Sequence, residues 1–173
     1  DVLPARVALG RYQPAQRVPL PQQVLIPGLV NLHTHAAMAL LRGIADDLPL
    51  MDWLKTRIWP AEAKHVSSAF VRDGTLLACA EMLRGGITCF NDMYFFPEAA
   101  AEAAQSLGMR AVLGMVIIEF PTAYAVDADD YISKGLAVRD RMRGTPLISF
   151  CMAPHAPYTV ADKTFERIAT LSA

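Results

Sequence analysis

What most constrains the fold of this chain is a rhythm. From residue 29 onward, short continuous apolar runs alternate with segments of helical spacing. "LVNLHTH" is a short β-type run, and "SSAFVRDGTLLACAEMLRGG" follows it with helical apolar spacing, Ser67 or Ser68 as N-cap and Gly85-Gly86 as a stop. "ITCFNDMY" is the next strand. "PEAAAEAAQSLG" is the next helix, with Pro97 in its first turn, Glu98 suited to the helix dipole and Gly108 to the C-terminal cap. "RAVLGMVII" predicts a third strand. "DADDYISKGLAVRDRMRG" predicts a third helix, supported by Asp130 and Lys134 one turn apart and closed by Gly144. "PLISFCMAPH" is a fourth strand and "ADKTFERIATLS" a fourth helix.

Strands that are apolar throughout and alternate with helices predict an α/β fold, with a parallel sheet covered by helices. No Gly-rich fingerprint follows the first strand, which argues against a dinucleotide-binding sheet. Four βα units are half of what a (β/α)8 TIM-type barrel requires. A sheet of that size left open would expose both edges. The chain is therefore expected to be a fragment, and its start at Asp1 without a methionine reads as a missing N-terminus. Residues 1–26 are rich in Pro, Gln and Arg with short apolar pieces. They predict short strands and turns of an accessory β-sandwich, with residues 27–173 forming the first half of the barrel.

Bulk properties narrow the function. Apolar residues make up 53% of the 173, enough for a packed core. The net charge of −1, without a basic patch, excludes a general nucleic-acid or membrane-surface binder. The longest strongly apolar run falls far short of the ~20 residues of a membrane span. Cys79, Cys89 and Cys151 are widely spaced and odd in number. They predict reduced thiols of a cytoplasmic protein, not a disulfide frame.

The chemistry-bearing residues sit where the predicted strands end. His33 and His35 are two of only four histidines. On a strand, residues i and i+2 share a face about 6.6 Å apart along the chain. Two imidazoles so placed can converge on one metal at ~2.0–2.1 Å, and strand C-terminal ends are where barrel enzymes keep their sites. His155 lies in a loop stiffened by Pro154 and Pro157. On spacing alone, a third metal ligand and a structural loop histidine stand level for it. Glu62, in "IWPAE", reads as ordinary first-turn helix chemistry or as a carboxylate for a ribose diol. Asp92, ending the second strand, suits either orientation of a metal-bound histidine or a cap on the next turn, and the cap is preferred. His65 reads as surface. "DDLPLMDWL" predicts a core-facing helix, or else a lid on an apolar ligand.

Together, "PGLVNLHTHAAMALLRGIADDLPLMDWL", "IWPAE", "GITCFNDMY" and "APHAPYT" resemble the amidohydrolase superfamily. Within it they are similar to the branch of 5′-methylthioadenosine/S-adenosylhomocysteine deaminases and triazine-type chlorohydrolases. The resemblance runs in order along nearly the whole chain. It implies a distorted (β/α)8 barrel with a small β-sandwich. It matches His33 and His35 to two ligands of one divalent metal, usually Zn2+. It matches Glu62 to the carboxylate that binds the substrate ribose, and His155 to a substrate-binding histidine rather than a metal ligand. The remaining metal ligands and the catalytic acid are expected beyond Ala173, so no catalytic residue is assigned within the chain.

The implied reaction is hydrolytic removal of the 6-amino group of an adenosine-type nucleoside by a metal-activated water. "GMVIIEFPTAY" lacks the arginines that hold the carboxylate of S-adenosylhomocysteine in some members, which favours methylthioadenosine or adenosine. The alternatives are another amidohydrolase, such as a triazine chlorohydrolase or guanine deaminase, and an inactive truncated scaffold. The partner implied is a small-molecule nucleoside, with no nucleic acid and no membrane. A homodimer is compatible with the resemblance.

Overall fold

Each apolar run becomes a strand and each helical segment a helix. The computed structural model describes residues 1–172. Its strands are β1 (Leu29–Thr34), β2 (Ile87–Tyr94), β3 (Arg110–Ile117) and β4 (Ile148–Pro154). They form one parallel sheet in the order β1-β2-β3-β4. The helices are α1 (Ala5–Arg11), α2 (Leu50–Trp53), α3 (Trp59–His65), α4 (Ser68–Arg84), α5 (Pro97–Ser106), α6 (Ala128–Arg141) and α7 (Asp162–Ser172). A 3-10 turn covers Ala36–Leu41, and a π-turn over Leu54–Ile58 joins α2 to α3.

Local chemistry accounts for the ends of these elements. Ser67 Oγ accepts from the Phe70 amide at 3.2 Å, capping α4. Asp127 Oδ1 does the same for the Asp130 amide at 2.9 Å, starting α6. The Lys134–Asp130 pair then closes at 2.8 Å, one turn apart as expected. Gly108 stops α5 with φ +65°, a left-handed conformation that needs no Cβ.

The core lies between sheet and helices. Phe90, Leu113 and Ile117 from the strands pack with Val71, Cys79 and Tyr131 from the helices. In β3 every residue but Arg110 and Val112 is buried, as a strand covered on both faces must be. The buried face of α5 is nearly all alanine (Ala99, Ala100, Ala101, Ala103, Ala104), which lets that helix approach closely.

Among the described residues the sheet does not close. β1 and β4 are its two edges, and on β1 Leu29, Val30 and Leu32 are 53%, 56% and 74% exposed. The result is four βα units of a barrel-type fold, as the rhythm predicts.

Residues 1–26 depart from expectation. They hold α1 and no strand, and Val2, Val18, Val24, Leu25 and Ile26 stand exposed. A strand satisfies its amides and carbonyls only through a partner strand, and none lies beside this segment among the described residues. No helix of the described residues is long and apolar enough to cross a membrane.

Candidate active site

The candidate site gathers at the C-terminal ends of the four strands. His33 lies on β1; the strand ends at Thr34, and His35 starts the 3-10 turn at φ −120°, ψ 71°. The two rings remain neighbours, with centroids 4.9 Å apart and planes edge-on. His35 Nδ1 is 2.6 Å from the carbonyl oxygen of Met93. A carbonyl only accepts, so Nδ1 carries the proton. Nε2 is left as a lone-pair donor, the orientation that a metal-ligating imidazole needs.

Asp92 holds the backbone of this turn from the neighbouring strand. It is buried, and its Oδ1 accepts from Thr34 Oγ1 and from the Ala36 amide, both at 2.7 Å. The preferred cap on the turn after its own strand is therefore corrected: Asp92 caps the 3-10 turn that starts at His35. The register that sets Thr34 beside Asp92 makes this bond possible. Burial raises the pKa of Asp92, while the bonds from Ala36 and Thr34 and the two nearby histidines oppose the rise.

Glu62 comes from the opposite wall. It lies in the first turn of α3, with Pro60 at the helix start as expected. Its side chain turns inward, and Tyr94 Oη donates to its Oε1 at 2.7 Å. Burial pushes the Glu62 carboxyl above its ordinary value, opposed by the Tyr94 bond and the proximity of His35. Burial and the Glu62 charge push the Tyr94 phenol far above its usual value, so it stays a donor.

His155 follows β4. Its amide donates to the Ile117 carbonyl at 3.1 Å, and its Nδ1 is 2.9 Å from Thr159 Oγ1. Burial, with His35 and His33 nearby, lowers its pKa, so the ring is neutral at physiological pH. His65 is exposed, as expected.

A pocket of about 230 Å3 joins these groups, with His35, Glu62, His155, Trp53, Trp59 and Phe120 in its wall. A second pocket of about 450 Å3 shares Trp59, Glu62 and Phe120, adds Val66 and Pro121, and touches neither histidine. No Lys or Arg lines either one among the described residues. "DDLPLMDWL" forms part of this wall: Leu50, Trp53 and Leu54 face the pocket. The lid alternative thus describes its position better than a core helix does, because Leu50 and Met51 are exposed.

The structure brings His33, His35, Glu62 and His155 to one end of the sheet. Sequence reasoning missed Tyr94 and Phe120. Tyr94 had a signal, because it shares a strand face with Asp92, two residues away. Phe120 had none.

Two histidines with one ring already oriented fit part of a metal's ligand set. Among the described residues no group of three or more His, Cys, Asp or Glu is placed to hold an ion. The thiols do not contribute: Cys79 is buried and its thiol is pushed up to about 12 by burial.

Known proteins are similar to this chain in sequence and fold. A 5-methylthioadenosine/S-adenosylhomocysteine deaminase of Saccharophagus degradans is 51% identical over 172 residues, covering 99% of this chain and 39% of the relative. A protein of the same name from Teredinibacter turnerae is 55% identical over 169 residues, covering 98% and 38%. The crystal structure of an adenosine deaminase from Xanthomonas campestris with bound zinc superposes with a TM-score of 0.94 at 53% identity, covering 99% of this chain and 39% of that one. The chain thus spans about two-fifths of the length of these relatives. The amidohydrolase family model matches residues 24–173, which include both strand-end histidines, Glu62 and His155. With four parallel βα units, a polar cluster at their C-terminal ends and that match over most of its length, the chain belongs to the amidohydrolase family.

Proposed function

We propose that this chain contributes the nucleoside-binding part of the active site of a metal-dependent hydrolytic deaminase. The substrate is an adenosine-type nucleoside that loses its 6-amino group. The observation that carries this reading is the placement of Glu62, inside a pocket that also holds His35 and His155. A half-buried carboxylate with an unpaired oxygen is an acceptor for a vicinal diol, and a neutral imidazole across the pocket can hydrogen-bond a purine. Names borne by relatives at 51–55% identity agree with it.

His33 and His35 would hold a divalent metal, zinc by analogy with the adenosine deaminase from Xanthomonas campestris. A metal held there would supply Lewis-acid activation of a water near neutral pH. The chain's own residues do the rest of what can be assigned here. Glu62 accepts from the ribose hydroxyls. His155, held at its backbone and at Nδ1, presents Nε2 to the base. Trp53, Trp59 and Phe120 exclude water around the sugar. The second pocket, apolar and without Lys or Arg among the described residues, suits an uncharged 5′ substituent such as methylthio better than an amino-acid tail.

A diol-binding Glu62 favours a nucleoside over a triazine or a free purine base. The test is ammonia release by the full-length enzyme from adenosine, 5′-methylthioadenosine, S-adenosylhomocysteine and guanine, with chloride release from atrazine alongside. Turnover is expected for the nucleosides, with 5′-methylthioadenosine ahead of S-adenosylhomocysteine. Turnover of atrazine or guanine alone would overturn the reading. His33→Ala is expected to strip the metal, read as zinc per protomer by elemental analysis.

A further inference from the structure

We propose that Tyr94 is a positioning residue for ribose binding: its phenol clamps one oxygen of Glu62 and leaves the other free for the diol. This rests on the reading of Glu62 as the diol acceptor. Glu62 starts from a poorly restrained place. α3 has seven residues and no side-chain cap, and it follows a π-turn with Lys55, Thr56 and Arg57 exposed. A glutamate has three rotatable side-chain bonds, and each ordered on binding weakens affinity.

Tyr94 supplies the missing restraint from a rigid source. It ends β2, which has hydrogen-bonded strands on both sides, and it is 6% exposed. Its ring packs against Phe95 with centroids 5.0 Å apart. Its hydroxyl donates to Glu62 Oε1 and to no other group among the described residues. A phenylalanine would fill the same space, so the hydroxyl is there for Glu62 and not for packing.

The same strand end serves the histidines. Asp92 holds the turn that starts at His35, the Met93 carbonyl fixes the His35 ring, and Tyr94 holds Glu62. Three consecutive residues thereby set the spacing between the metal side and the sugar side of the pocket. A nucleoside has a rigid span between base and diol, so that spacing determines whether both ends engage at once.

The test uses the full-length enzyme and a double-mutant cycle. Y94F is expected to raise KM for adenosine about tenfold, the loss of one hydrogen bond to a charged group, with kcat changed little. On 2′,3′-dideoxyadenosine, which lacks the diol, Y94F and wild type should show the same KM. In an E62A background, which leaves no oxygen for the phenol to hold, Y94F should add little. Tyr94→Met, apolar and without the hydroxyl, repeats the test on a second side chain and guards against a folding defect peculiar to one variant.

An equal rise in KM for both substrates, or no rise for adenosine, would overturn the role of Tyr94. If E62Q discriminates the two substrates and the Tyr94 variants do not, only the clamp fails. If E62Q itself does not discriminate them, the diol reading of Glu62 falls and the clamp with it.

Discussion

Glu62 answers to two opposed demands. Its place in the pocket removes it from water, which favours the neutral acid, yet a diol acceptor works best as a carboxylate. Its pKa is raised in the folded state, so the folded protein binds this proton more tightly than the unfolded chain does. Its contribution to stability is full below the unfolded value near 4.5 and is lost as pH rises through the folded value. At neutral pH the half-buried charge therefore costs stability. Glu62→Gln, which cannot ionise and can still accept from Tyr94, is expected to raise the unfolding free energy at pH 7 while weakening nucleoside binding. The stability gain should shrink as pH falls toward 4.5, followed by urea denaturation at several pH values. Such a site trades stability for function.

At the scale of elements, the position of the His35 turn depends on how closely α4 packs beneath it. Gly74 of α4 meets the 3-10 turn so tightly that a Cβ there would lie 2.5 Å from the Ala37 carbonyl oxygen and 2.8 Å from Ala37 Cα. Both are backbone atoms, so no side chain can swing aside. Helix propensity alone would favour alanine over glycine by about 1 kcal/mol. Overpacking of a tight contact costs about 1–3 kcal/mol, and here the clash should win. Gly74→Ala is expected to lower stability and, by moving Ala37, to shift His35 and weaken zinc binding. Urea unfolding and zinc titration of the full-length enzyme read the two effects separately. A variant more stable than wild type would show that the turn yields without strain.

Two motifs that were ambiguous in sequence are decided at this same scale. "DDLPLMDWL" has apolar residues at mixed helical spacing, and spacing cannot say whether they face a core or a cavity. Leu50 and Trp53 before the π-turn, and Leu54 and Ile58 within it, all border the pocket, with Ile58 buried and Leu50 exposed. Asp92 resolves similarly, because its partners belong to another strand.

For the whole molecule, the open β1 edge dominates. Val30 and Leu32 are exposed on a strand whose outer amides and carbonyls have no partner strand among the described residues. Edges of this kind template pairing with another chain. A polypeptide of residues 1–173 expressed by itself is expected to self-associate in size-exclusion chromatography with light scattering. Val30→Lys with Leu32→Lys should shift it toward monomer, because charged side chains block edge pairing. A monodisperse monomer of the unaltered polypeptide would count against β1 as an adhesive edge.

The sequence alone determined the βα rhythm, the start of α4 at Ser67 or Ser68, Pro97 in the first turn of α5, the stop at Gly108, the apolar strands and the paired histidines at a strand end. Each of these is encoded within a few residues, by periodicity or by a side chain bonding its own neighbours. The tertiary structure alone decided that Asp92 holds the turn at His35, that Tyr94 clamps Glu62 from 32 residues away, and that residues 1–26 form no strand here. Those outcomes depend on which strands pair, in what register, and whether a partner is present. A local pattern cannot specify these, because hydrogen bonds between distant segments exist only once the chain has folded around them.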